Sequence, residues 1–281
     1  MLITDCHVHV TPFEMFKPPA LAVMQNTRLE FDVVLNTVRS PRAFLNYLDA
    51  AGISRAVLIN YVAPDVIGCT AEVNPWIAEY VKADPRRLLA CGSLHPRHSR
   101  DFAADLEQLL GLGLRMIKIH PPHQLLYPND YLNGVRELEM LYRAAEREGI
   151  PVMIHTGTSI FPGARNKYGD PIYLDDVAID FPKLKIIMAH GGRPLWMDTA
   201  FFLVRRHRNL YLDISSIPPL YLLEYFPRLE EIADQTLFGT DWPGPGVPDI
   251  KRNLDDFRAL PLSPEASEKI LSRTALSIWP E

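Results

Sequence analysis

Cysteine is scarce in this chain and nowhere paired. Cys6, Cys69 and Cys91 are the only three, with no CxxC spacing. An odd, unpaired set argues against a disulfide framework and for a reducing compartment. Cys6 and Cys91 lie in strand-like runs, where a small buried thiol is ordinary. No apolar run approaches the ~20 residues of a membrane span. The first residues enter a strand pattern with no basic leader or small-residue cleavage site. Basic patches are also absent, and the net charge is -5, so the electrostatic footprint of a nucleic-acid binder is missing. These absences lead us to expect a cytoplasmic protein whose partner is a small molecule rather than nucleic acid or membrane. Glycine is outnumbered, with 15 residues against 25 prolines. The prolines gather in loops, at Pro64, Pro121-Pro122, Pro218-Pro219, Pro243, Pro245 and Pro248. Proline removes backbone freedom, so these loops are expected to be stiff. A glycine-rich first turn is lacking between Cys6 and Pro12, which excludes the nucleotide-binding doubly wound sheet.

What is present is alternation. Apolar strand runs follow one another with helix-period segments between them, the mark of a parallel sheet covered by helices. The strands are expected at Ile3–Val8, Ala56–Tyr61, Leu88–Leu94, Met116–Ile119, from Pro151 to His155, Lys185–Ala189, Leu210–Ile214 and Thr236–Gly239. Ser40-Pro41 reads as an N-cap followed by proline at the first helical position, and Gly52 as the stop. The stretch from Thr11 to Arg39 contains Pro18-Pro19 and shows no clean period. It is long for a loop and reads as a lid-like excursion over a site. Eight strands in 281 residues, without internal repeat or linker, fit a single α/β domain over residues 1–281, a (β/α)8 TIM barrel. Such barrels gather their active sites at the C-terminal strand ends.

At those ends one local pattern recurs: an apolar run stops at a metal-capable residue, and a turn follows. His7 and His9 sit two apart at the end of strand one, and alternation points both the same way. Val152-Met153-Ile154 stops at His155, Ile186-Ile187-Met188-Ala189 at His190, and Leu237-Phe238-Gly239-Thr240 at Asp241. Converging at one mouth, His7, His9, His155 and Asp241 offer three nitrogens and a carboxylate. That donor set suits one divalent ion, Zn²⁺ first, with Mn²⁺, Fe²⁺ or Co²⁺ as alternatives. Coordination would lower the pKa of a bound water to roughly 7. His190 then stands as general acid or base. His120 ends strand four and is read as a substrate contact, with Arg193 after Gly191-Gly192 and Trp242 as a pocket wall. Lys118, two residues before His120, carries three readings: a contact for a substrate carboxylate, a carbamylated bridge between two metals, or a buried cation paired with a carboxylate such as Asp5. His95 and His123 lie beside loop prolines and could be surface residues. Asp213 orients substrate or pairs with an inward cation. Arg165 and Lys167 could receive an anion.

These motifs resemble the amidohydrolase superfamily. Asp-X-His-X-His at 5 to 9, Ile-His-Thr-Gly at 154 to 157, Ala-His-Gly-Gly at 189 to 192 and Gly-Thr-Asp-Trp-Pro at 239 to 243 occur in that family's order and span essentially the whole chain. The similarity is greatest to the amidohydrolase-2 group of aminocarboxymuconate semialdehyde decarboxylase-like metal-dependent hydrolases. It implies a (β/α)8 barrel with one metal, usually zinc, held by His7, His9, His155 and Asp241, with His190 in proton transfer and a homodimer as the assembly. Binuclear branches carry a carbamylated lysine at the end of strand four, where this chain has His120, so the resemblance implies a single metal. The expected activity is hydrolysis of a small ester, lactone or amide by metal-activated water, with Asp241 taking the water proton. The alternative is non-oxidative decarboxylation of a small unsaturated or aromatic acid.

Overall fold

Apolar runs become eight parallel strands because both faces of each are covered. They are β1 (Thr4–Val8), β2 (Arg55–Leu58), β3 (Leu88–Gly92), β4 (Met116–Ile119), β5 (Val152–His155), β6 (Ile186–Ala189), β7 (Leu210–Asp213) and β8 (Thr236–Leu237). The computed structural model describes residues 1–28 and 30–280. Leu29, inside the excursion, and Glu281 lie outside the described residues. The strands pair in sequence order. The ring is drawn together where the end of β1 meets the segment after β8. There Cys6 N–H donates to the Phe238 carbonyl, Asp241 N–H to that of His7, and His9 N–H to that of Trp242. The chain is a TIM barrel.

Alternation divides the apolar side chains into two sets. Val57, Leu89, Cys91, Met116, Met153, Ile187 and Leu237 turn into the barrel. Leu58, Ala90, Ile117, Ile119, Ile154, Met188 and Leu212 pack outward in the larger core. Trp279 closes the lower end of the inner set, its Nε1–H donating to the Arg115 carbonyl just ahead of β4. Lys118 shares the inward face with Met116. It pairs in register with Met153, one layer beneath His155.

The excursion after β1 is not a bare loop. It folds as a short 3-10 turn (Phe13–Met15), α1 (Pro18–Thr27) and α2 (Phe31–Arg39), ahead of α3 (Pro41–Ala51). Pro18-Pro19 starts α1 rather than breaking it, because a missing N–H costs nothing in the first helical turn. Ser40 caps α3, its Oγ accepting from Ala43 N–H, and Gly52 ends it at φ 76°. Phe13, Phe16 and Met24 from this segment face the barrel mouth. Among the described residues no helix is long and apolar enough to cross a membrane.

Candidate metal centre

A cavity of about 240 Å³ opens at the C-terminal strand ends. His7, His9, Lys118, His120, His155, His190, Arg193 and Asp241 all line it. The backbone pairing between β1 and the segment after β8 places Asp241 against the histidine pair. Asp241 Oδ1 lies 3.1 Å from His9 Nε2 and 3.4 Å from His7 Nε2. His7, His190 and Asp241 form a candidate ligand group whose donor atoms lie within 4.8 Å of one another. His155 stands beside them, its ring centroid 4.7 Å from that of His190. His190, Ser216 and Asp241 adopt left-handed backbone, at φ 65°, 59° and 68°. Non-glycine residues rarely accept this conformation, and it clusters where a site demands it.

The protons are set from behind. His7 Nδ1 lies 2.6 Å from Asp213 Oδ2, which accepts its N–H and leaves Nε2 as a bare lone pair toward the cavity. His190 Nδ1–H donates to the Ser215 carbonyl at 3.0 Å, so its Nε2 is likewise bare. Ser215 Oγ ties the two together, 2.9 Å from His190 Nδ1, 3.1 Å from His7 Nδ1 and 2.7 Å from Asp213 Oδ2. Sequence reasoning missed Ser215, although alternation places it two residues beyond Asp213 on the same side. Asp5 accepts from Thr240 N–H and Oγ1 and from His7 N–H, bracing the backbone on both sides of Asp241.

Burial dominates the titration of this site. It pushes His7 down to about 4, with the Lys118 charge adding to the effect. It holds His120, His155 and His190 well below the ordinary imidazole range. Asp5 is raised by burial to about 7. Burial also raises Asp241, but the hydrogen bond with His9 and the charges of His7, His9 and Arg193 outweigh it and keep that carboxyl well below its usual range. Neutral imidazoles beside an ionised carboxylate form a donor set ready for a cation. Two of those imidazole nitrogens, His7 Nε2 and His155 Nε2, are buried without a hydrogen-bond partner among the described residues. Such orphaned atoms are costly unless something binds them, and a divalent ion fits.

Around this centre the other residues fall differently. His120 is buried, its ring stacked 3.8 Å from His155 and 3.7 Å from His123. Arg193 is in the wall, donating to the Thr158 carbonyl and Ser216 Oγ. Lys118 Nζ is buried without a hydrogen-bond partner among the described residues, Asp5 included; burial lowers it to about 8. Trp242 lies outside the cavity lining and packs on Phe44 and Tyr47, because the turn after Asp241 directs it back under α3. His95 and His123 are buried rather than superficial. Arg165 and Lys167 are exposed and do not reach the cavity. Apolar Phe13, Phe16, Met24, Ile67 and Phe161 form the outer wall.

A family model described as Amidohydrolase matches residues 4–280. No curated protein matches the sequence. Among solved structures, an uncharacterized TIM-barrel protein from Bordetella bronchiseptica is 24% identical with a TM-score of 0.77, over 99% of this chain and 98% of that one. A putative 2-pyrone-4,6-dicarboxylic acid hydrolase from Pseudomonas putida is 18% identical with a TM-score of 0.63, over 99% and 97%. A 5-carboxyvanillate decarboxylase from Novosphingobium aromaticivorans, solved with manganese bound, is 15% identical with a TM-score of 0.63, over 99% and 96%.

Proposed function

The chain belongs to the amidohydrolase family, and from that premise we propose that it is a metal-dependent hydrolase of a small ester, lactone or amide. Enzymes of this superfamily act with a metal, and His7, His9, His155 and Asp241 are the residues we assign to hold one divalent ion, zinc or manganese. When bound, the ion supplies Lewis acidity and lowers the pKa of water.

The observation that carries the reading is the proton setting of His190. Its Nδ1–H is committed to the Ser215 carbonyl, which leaves Nε2 bare, and the residue lines the cavity with His7 and Asp241. A neutral imidazole so fixed accepts a proton. His190 therefore takes the proton of the attacking water, the part the sequence alone suggested for Asp241. Asp241 remains anionic, its Oδ1 3.1 Å from His9 Nε2. Arg193, pinned at Thr158 and Ser216, offers its guanidinium to an oxygen of the substrate. The apolar outer wall excludes bulk water, which strengthens each of these contacts.

Metal analysis of the purified protein comes first. A panel of lactones, amides and carboxylated aromatics then separates proton release from carbon dioxide release. We expect proton release, and His190→Asn to abolish turnover while metal content stays within error of the parent. Carbon dioxide release would assign the protein to the decarboxylases instead, and full activity in His190→Asn would remove His190 from the mechanism.

A further inference from the structure

Tyr61, His123 and Ser159 stand outside the ligand set and form one continuous hydrogen-bonded chain. Tyr61 Oη lies 3.1 Å from His123 Nδ1, and His123 Nε2 lies 2.7 Å from Ser159 Oγ. The three residues follow β2, β4 and β5. Tyr61 and Ser159 both line the cavity, with His123 buried behind them. Tyr61 is the inner end, its ring centroid 4.7 Å from that of His120 and 6.2 Å from that of His9. Ser159 is the outer end, half-exposed at the mouth. It is fixed there by its N–H to Asn166 Oδ1 at 2.8 Å and by the Phe161 N–H, which its Oγ accepts at 3.3 Å.

Burial keeps His123 neutral, pushing its pKa down to about 3. A neutral imidazole has one N–H and one lone pair, so the chain has two settings. In the first, Tyr61 donates to Nδ1 and Nε2–H donates to Ser159. In the second, Ser159 donates to Nε2, Nδ1–H donates to Tyr61 Oη, and the Tyr61 hydroxyl proton is free to face the cavity.

We propose that Tyr61 donates the proton to the departing oxygen or nitrogen of the substrate and is refilled from solvent through His123 and Ser159. The proposal rests on the hydrolase reading and adds an acid to its base. His190 stands with His7 and His155, whereas Tyr61 stands with His9 and His120. In the step, the acyl C–O or C–N bond breaks and its electron pair goes to the departing atom, which takes the Tyr61 proton. Tyr61 oxygen takes the proton of His123 Nδ1, His123 Nε2 takes that of Ser159, and Ser159 Oγ takes one from water at the mouth. The hydroxide left there is neutralised by the proton that His190 removed from the attacking water. The sum is substrate plus water giving acid plus alcohol or amine. Tyr61 is the catalytic residue of this chain of bonds; His123 and Ser159 are positioning residues. The chain keeps a route to solvent when substrate fills the cavity.

The test uses metal-loaded protein and two esters of one acid. An alkyl ester needs a proton on its departing oxygen; a p-nitrophenyl ester does not. Tyr61→Phe keeps the ring and should lower kcat on the alkyl ester by roughly 10²- to 10⁴-fold, the usual worth of a general acid. Its kcat on the p-nitrophenyl ester should stay near the parent value, with metal content unchanged. Ser159→Ala should also slow the alkyl ester, and Ser159→Thr should restore it. Independently of turnover, ¹⁵N shifts of the His123 ring should report two exchanging tautomers in the parent and one in Ser159→Ala. Equal losses on both esters, or none on either, would overturn the proposal, as would a single fixed His123 tautomer in the parent. If the parent hydrolyses neither ester nor any compound of the panel, the hydrolase reading fails, and the tautomer measurement still decides the relay.

Discussion

His7, a ligand in the function proposed above, is oriented by what lies behind it. A histidine side chain can present either nitrogen, and the choice is made by the hydrogen bond at the other. Asp213 takes the Nδ1 proton at 2.6 Å, and Ser215 supports that carboxylate and His190 together. Replacing Asp213 by Asn keeps the shape but removes the charge and leaves the orientation of the amide free. Metal affinity should fall roughly 10- to 100-fold, as loss of such supporting carboxylates typically causes. Competition titration with a chelating dye measures it, and an unchanged affinity would mean that Asp213 does not govern His7. The residues we propose as ligands were singled out in the chain because each ends an apolar strand run, with His7 and His9 two apart on one face. Ser215 and Tyr61 were not legible: one serine or tyrosine in an apolar run gives no sign of its neighbours across the barrel.

At the scale of elements, the site depends on how closely strand ends approach. Gly239, just past β8, has no side chain where one would collide. A Cβ there would lie 2.5 Å from Asp213 Oδ1 and 3.0 Å from His7 Cβ and Ser215 Cβ. Gly239→Ala should therefore cost about 1–3 kcal/mol of stability, the usual range for overpacking a full interior. It should also loosen the metal by displacing Asp213. Denaturant unfolding and the same dye titration measure both, and a fully stable variant with parental affinity would show that the strand ends can give way. The loop after β5 is held similarly, Gly157 N–H donating to the Gly169 carbonyl at 2.7 Å and so fixing the span that carries Ser159. Strand positions were readable from the apolar runs to within a few residues. The excursion was readable as a segment over the site, but its helices were not, because its two prolines look like breakers until the helix that begins at them is seen.

For the molecule as a whole, a buried donor set couples metal binding to folding. Ion bound only by the folded state stabilises it by about 2.7 kcal/mol at a hundredfold excess over Kd. At about 2–4 °C per kcal/mol for a chain of this size, the midpoint of thermal unfolding should rise by roughly 5–10 °C when Zn²⁺ or Mn²⁺ is added to chelator-treated protein. Scanning calorimetry reads this directly; identical midpoints with and without metal would remove the linkage. The barrel was readable along the chain, as were the strand-end side chains that we propose as ligands. Both are local matters, set by hydrophobic period and by which residue ends each run. Packing in three dimensions sets which nitrogen His7 and His190 present, turns Trp242 under α3 instead of leaving it to wall the cavity, and brings Tyr61, His123 and Ser159 together. Those outcomes depend on contacts between residues far apart in the chain, such as His7 with Asp213 and Tyr61 with His123, and no periodicity along the chain records such contacts.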